Sequence, residues 1–451
     1  MRVLSAVDRI AELAGALRAA AAAWASGDVY DEGEATRLRH HAIAACHAHY
    51  RAAIPAYRRM CDDAGVGDDA GFAMIVELCS VGDDWFKSYD STWLETGDFA
   101  SMGRWLGDAC AEGAAGAVAA DAGGVDDWLE RLERAGVQVL YSSGTSGKLS
   151  FVPRGPASWE AYRANGASYL MSRLQRMGLD LSAMDAVVLG FRGGRMGIQR
   201  AGVEIARWVP RVEYLYDFEL RADTLRESLR ARTPEGARSL GAPLSAGGAA
   251  AGEADGREAA YARILAACRC ATAAGRAVWL FGAPYQVKEL CARAEAARAP
   301  RFAPGSVVTL GGGWKSFEGE RVERAALAAT IEGALGVEAE RVMEAYSMVE
   351  LNSPLMCCEA GRFHVPPLLE PLVYDEALMP REAGPDVTGI FGFLDATATS
   401  YPGFVVTGDE VRLVREGCPC GLVGPAIVGE IRRAPGHEVR GCGGILATVR
   451  A

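Results

Sequence analysis

Leu140 to Gly155 reads LYSSGTSGKLSFVPRG, and this stretch decides the fold. Val137–Tyr141 is a compact apolar run with the texture of a buried strand, and it opens directly into a loop of hydroxyls, glycines and one lysine. A strand that empties into such a loop and is followed by an amphipathic helix, here Ala157–Met177, is the repeating unit of α/β proteins. Ligands of open α/β sheets sit at the carboxyl ends of strands, where glycine lets the backbone come close and successive N–H groups can nest an anion. The same letters also suit a Ser/Gly surface turn. The loop is no ordinary Walker-type sequence: counting back from Gly147-Lys148, the first required glycine falls on Ser142, and Leu149 follows the lysine.

Outward from the loop the alternation continues. Strand-like runs lie at Ala186–Gly190, Val212–Tyr216, Ala277–Phe281 and Ser306–Leu310, with helical text between them. Glycine-rich text follows at Phe191–Gly197, and Pro284 is well placed for the first turn of a helix. Residues 1–60 and Trp93–Ala120 read as helix, and a short helix is expected near Asp126–Ala135. Thr233–Gly256 is low in complexity and reads as a mobile surface insertion. The expected fold is α/β, with mixed and parallel sheets flanked by helices. The expected organisation is a helical region over 1–125 and an α/β core with a C-terminal tail over 126–451.

Composition narrows the function. The 451 residues are 50% hydrophobic, enough for a large core and a length prior of about three domains. A net charge of −11 argues against nucleic acid or an anionic membrane as partner. No uncharged apolar run reaches the roughly 18 residues of a membrane span, and the N-terminus is interrupted by Asp8, Arg9, Glu12 and Arg18. A cytoplasmic location is expected, with the twelve cysteines reduced or metal-bound rather than disulfide-paired.

Two further stretches join the loop: EAYSMVELNSP (Glu344–Pro354), and VVTGDEVRL (Val405–Leu413), in which Asp409 is read as part of a Thr-Gly-Asp turn. In this order and at these separations the three resemble the nucleotide site of adenylate-forming enzymes, most closely the LuxE-like acyl-protein synthetases and then the phenylacetate-CoA ligase branch. WFKSYDSTWLETGDFASMGRWL, LGGGWKSFEGE, CPCG and RGCG resemble the same subfamily, so the likeness runs from about Trp85 to the end of the sequence.

The resemblance implies an enzyme that joins a carboxylic acid to ATP as an acyl-adenylate, releases pyrophosphate and passes the acyl group to a thiol. Ser142, Ser143, Gly144, Thr145, Ser146, Gly147 and Lys148 would wrap the phosphates. Gly311, Gly312 and Gly313 would give flat backbone for the adenine, with Tyr346 on its face and Ser347 beside it. Glu350 would hold Mg2+, and Asp409 the ribose hydroxyls. The resemblance also implies a chain without the small C-terminal domain of most relatives. Arg433 would then stand as hinge arginine, and Lys148 would supply the charge of the missing catalytic lysine. Val349 replaces the family's hydroxyl, a loss of about 0.5–1.5 kcal/mol in α-phosphate contact. Leu149 stands where proline is common.

The cysteines divide. Cys358, His364, Cys418 and Cys420 have spacings that suit a closed tetrahedral zinc site, with Cys358 preferred over Cys357; buried free thiols are the other reading. Cys442, beside Arg440, resembles the acyl-accepting cysteine of acyl-protein synthetases, although a glycine-flanked cysteine can also simply pack. The acceptor is then the chain's own cysteine, with coenzyme A, a carrier protein or a partner enzyme as alternatives. A weakly catalytic nucleotide-binding partner of a multi-enzyme assembly is the reading from a different class.

Overall fold

The structure, a computed structural model, describes residues 6–113, 119–142, 148–230, 250–314 and 319–435. They fall into two compact units. One holds the described residues up to 141 together with 148–177 and 347–435, and the other holds 178–346 and Ser142.

In chain order the strands are β1 (Val81–Gly82), β2 (Gln138–Ser142), β3 (Ser150–Arg154), β4 (Asp185–Gly193), β5 (Arg211–Glu219), β6 (Val278–Gly282) and β7 (Val307–Gly311). There follow β8 (Val342–Tyr346), β9 (Leu355–Cys357), β10 (Arg362–His364), β11 (Leu369–Tyr374), β12 (Asp386–Asp395), β13 (Phe404–Val414) and β14 (Ala426–Arg433).

The second unit is a parallel sheet. Its strands stand in the order β5-β4-β6-β7-β8, each paired in parallel with its neighbour. Numbered from β4, that is the 2-1-3-4-5 order of a doubly wound sheet, whose direction of winding reverses between β4 and β6. Strands β6 and β7 are buried at every position, and so read as unbroken apolar runs. The helices Gly197–Ile205, Pro284–Ala296 and Arg324–Leu335 follow β4, β6 and β7. Pro284 occupies the first turn, where its missing N–H costs nothing. Thr233–Gly256 lies mostly outside the described residues. Its end, 250–256, belongs to the helix Ala250–Ala273, in keeping with its three alanines and Glu253.

The first unit carries the antiparallel strands, in the order β11-β12-β13-β14-β10-β9, with β1 added in parallel to β13. The N-terminal helices Ala6–Ser26, Glu32–Ala53 and Pro55–Asp63 pack into the same unit. Asp31 caps the second of them by accepting from the Glu34 N–H at 3.0 Å. Ile10, Leu17, Ile43, Tyr50 and Tyr57 share a core with Leu368, Leu394 and Phe404, each such side chain stabilising by about 1.5–3 kcal/mol relative to exposure. Arg39, itself buried, ties that helix to β11 through Glu370 at 2.8 Å and the Pro367 carbonyl at 3.2 Å. The first compact unit takes in residues on both sides of position 125.

One local reading is corrected. Thr407, Gly408 and Asp409 do not form a turn; they lie inside β13. The β-branched run Val405–Thr407 and the apolar Val411 and Leu413 favour a strand, and one glycine does not break it. No helix among the described residues is long and apolar enough to cross a membrane.

Candidate active site

The loop Ser143–Gly147 lies outside the described residues, but both its edges are visible. Ser142 ends β2, and Lys148 begins the approach to β3. The Lys148 ammonium donates to the Tyr89 carbonyl and lies 4.2 Å from the centre of the Tyr89 ring. The Tyr89 hydroxyl donates to the Leu149 carbonyl at 2.9 Å, and its ring packs edge-on to Trp105. Burial holds the Lys148 ammonium below the ordinary lysine range, opposed by Asp90 and reinforced by Lys87. Sequence reasoning quoted the WFKSYDSTW segment without a role for it. Its Tyr89 is the seat of the loop's lysine.

Glu350 is buried, and burial pushes its carboxyl up to about 7, with Asp83 adding to the rise and Arg154 and Lys87 opposing it. The backbone around it is fixed by a side chain that sequence reasoning missed. Arg154, fully buried, donates to the Val349 carbonyl, to Asn352 Oδ1 at 3.1 Å and to the Tyr401 hydroxyl at 3.0 Å. The Tyr401 hydroxyl in turn donates to the Glu350 carbonyl at 3.0 Å or to Asn352 Oδ1 at 3.1 Å. The rings of Tyr162 and Tyr401 lie 4.4 and 5.1 Å from the guanidinium carbon. The Asn352 N–H donates to buried Asp395, whose other oxygen accepts from the N–H and hydroxyl of Thr397. Val349 is buried and serves the clamp through its carbonyl. The one available signal was a lone arginine in the apolar run FVPRG.

Asp409 and Arg433 come together. The β13–β14 register sets them opposite each other, and their side chains pair at 3.2 Å. The Asp409 N–H donates to the Thr407 hydroxyl at 3.1 Å, which donates to the Phe391 carbonyl at 2.8 Å. The register slips between Glu410 and Arg412, just beyond Asp409. Such irregularities turn a side chain out of a regular ladder.

The four predicted metal ligands also converge. Cys358 follows β9, His364 ends β10, and Cys418 and Cys420 lie on the β13–β14 connection, yet their ligand atoms all lie within 4.8 Å of one another. Cys358 Sγ is 3.6 Å from Cys418 Sγ, and Cys420 Sγ is 3.3 Å from His364 Nε2. Burial raises the Cys358 thiol, but hydrogen bonding to His364 and the Arg362 backbone outweighs this and leaves it below the usual range. Burial and the neighbouring thiols push Cys420 up to about 12. Cys357 takes no part, as its Sγ is directed to the Cys358 carbonyl. Cys442 and Arg440 lie outside the described residues.

In the second unit, Gly311 ends β7 and pairs with Ala345, next to Tyr346 at the end of β8. Gly312 and Gly313 have φ of +81° and +63°, which glycine alone adopts without strain. Phe191–Gly197 and Phe281–Tyr285 cover the carboxyl ends of β4 and β6 and the residues just beyond them, and these are the strands between which the winding reverses. There Phe191 stacks on Tyr216 at 4.8 Å, and a Cβ on Gly282 would come within 2.8 Å of Leu189. Ser347, with the first unit, is exposed.

The fold is similar to that of a solved CoA ligase. A 2-hydroxyisobutyryl-CoA ligase, solved with 2-HIB-AMP and CoA, matches with a TM-score of 0.52 at 16% identity, over 88% of this chain and 68% of that one. The family model described as acyl-protein synthetase, LuxE, matches residues 260–449. The long-chain-fatty-acid–luciferin-component ligase of Aliivibrio fischeri is 32% identical over 181 residues, 38% of this chain and 46% of that protein. Its counterpart in Vibrio harveyi is 28% identical over 147 residues, 32% of this chain and 38% of that protein. The matches span less than half the length of these curated relatives.

Proposed function

We propose that the protein is an ATP- and Mg2+-dependent, AMP-forming ligase that activates a carboxylic acid as its acyl-adenylate and hands the acyl group to a thiol. The observation that carries this reading is Glu350, a buried carboxyl on backbone that Arg154 and Tyr401 hold by hydrogen bonds. A buried carboxylate is costly unless cations compensate it, and Arg154 and Lys87 offset its burial only in part. Mg2+ takes one or two carboxylates and completes its octahedron with phosphate oxygens and water. Arg154 Nη1, Asn352 Nδ2 and Ser353 Oγ are buried without protein partners, which supports a polar ligand beside this segment. Asp409 accepts from the ribose hydroxyls, Arg433 orients it, and Lys148 faces the phosphates together with Ser142–Gly147. Gly311–Gly313 and Tyr346 hold the adenine, and Ser347 borders it.

The acid attacks the α-phosphorus, pyrophosphate leaves, and a thiolate then displaces AMP from the acyl carbon. Cys442 is the proposed first acceptor. Coenzyme A, a carrier protein or a partner enzyme is the alternative, and the reaction is placed in the cytoplasm. Cys358, His364, Cys418 and Cys420 are proposed to hold a structural zinc. Three thiolates and one imidazole are a closed zinc donor set, which would pin the β9–β10 hairpin to the β13–β14 connection. ATP–pyrophosphate exchange with a panel of acids tests the reading. Fatty acids and short hydroxy acids belong in the panel because the similar proteins are named for them. Acid- and Mg2+-dependent exchange is expected. ATP binding without exchange for any acid would favour the weakly catalytic nucleotide-binding partner.

A further inference from the structure

A second group of soft ligands lies among the N-terminal helices. The ligand atoms of His47, Cys61 and Cys79 all lie within 4.8 Å of one another, and all three residues are buried. His47 comes from the helix Glu32–Ala53, Cys61 from the helix Pro55–Asp63, and Cys79 caps the helix Phe72–Leu78. Tyr57 lies one turn before Cys61, on the same face of its helix. Its hydroxyl is 2.9 Å from His47 Nδ1.

The imidazole is already set for coordination. His47 Nε2 lies 2.9 Å from the Gly67 carbonyl, which can only accept, so Nε2 carries the proton. Nδ1 therefore presents its lone pair toward Tyr57 and the thiols. A ring N–H given to a backbone carbonyl is the usual outer support of a metal-bound histidine.

We propose that His47 Nδ1, Cys61 Sγ and Cys79 Sγ form a binding site for a thiophilic divalent cation, Zn2+ being the ion this donor set suits, with the Tyr57 hydroxyl beside it as a hydrogen-bonding neighbour. Charge balance favours it. Two thiols release their protons to solvent, their two negative charges cancel those of the cation, and the imidazole and phenol stay neutral. A neutral cluster is the form that a buried site tolerates. The ion ties three helices, one of only seven residues and too short to be stable alone.

The test uses the full-length protein freed of metal under reducing conditions and reloaded with zinc or cadmium. The cadmium NMR spectrum of wild type is expected to show a resonance of a two-thiolate site, upfield of any three-thiolate signal from the Cys358 cluster. The Cys358→Ser/Cys418→Ser variant should still bind one equivalent of zinc, and should lose it when Cys61→Ser/Cys79→Ser is added. No two-thiolate resonance in folded wild type would overturn the proposal, as would a zinc-free Cys358→Ser/Cys418→Ser variant. A Cys61–Cys79 disulfide in freshly isolated protein would do so too. Nucleotide binding by either variant has no bearing on these readouts, so the fate of the ligase reading does not decide this one.

Discussion

The two units present their candidate residues in different ways. In the second unit, candidate ligand-contacting residues stand at the carboxyl ends of successive parallel strands: Phe191 and beyond on β4, Gly282 on β6, Gly311 on β7 and Tyr346 on β8. Each is placed by its own strand, and backbone and small residues do most of the work. In the first unit no single element places its residue. Glu350 depends on Arg154 of β3 and on Tyr401 ahead of β13, and Asp409 faces Arg433 through a strand register. A parallel sheet therefore makes a site by topology, whereas the antiparallel part makes one by buried polar contacts between distant segments. The second kind should be far more fragile toward single substitutions.

Arg154→Met is the most severe test. It leaves the Val349 carbonyl, Asn352 Oδ1 and the Tyr401 hydroxyl without their buried donor, at a cost of about 3 kcal/mol or more. Thermal unfolding should show that loss, and pyrophosphate exchange should vanish. Arg154→Lys should recover stability more fully than exchange, since an ammonium cannot reach all three acceptors in a plane. Equal stability of wild type and Arg154→Met would break the contrast between the units.

Next in size is Asp409→Ala. Losing hydrogen bonds to a charged acceptor costs about 1.5–3 kcal/mol, so ATP affinity by calorimetry should fall about tenfold to a hundredfold. Unchanged affinity would remove Asp409 from the nucleotide site. Tyr89→Phe is milder: it deletes one hydrogen bond to the Leu149 carbonyl and keeps the ring under Lys148, for about 1 kcal/mol of stability. Tyr89→Ala, which also removes that ring, should affect exchange much more than Tyr89→Phe does.

The smallest effect concerns acid. Burial holds His49 below its ordinary 6.5, with Nε2 at 2.9 Å from the Thr399 carbonyl. As pH falls below 6.5 the unfolded chain takes up this proton while the folded chain still refuses it, so stability declines with acidification. His49→Gln should flatten that decline in denaturant titrations below pH 6.5, leaving stability near pH 8 little changed. A decline equally steep in the variant would show that His49 does not contribute to it.

Local chemistry determined much of this molecule. The apolar runs at 186–190, 277–281 and 306–310 are strands because buried parallel strands are apolar on both faces. Proline's fixed φ marks Pro284 as a helix start, and Gly311–Gly313 close the strand before them. Spacing alone proposed the Cys358, His364, Cys418 and Cys420 quartet, and the fold brings its atoms within 4.8 Å of one another. Tertiary structure decided the rest. TGD reads as a turn by composition, yet pairing with β12 and β14 makes it strand. Arg154 and Tyr401 are 247 residues apart, and His47 meets Cys79 across a helix that does not contain either. Periodicity and propensity act over a turn or a strand. Contacts such as these are set by which buried polar groups the packed core leaves in need of a partner, and only the folded chain brings those groups together.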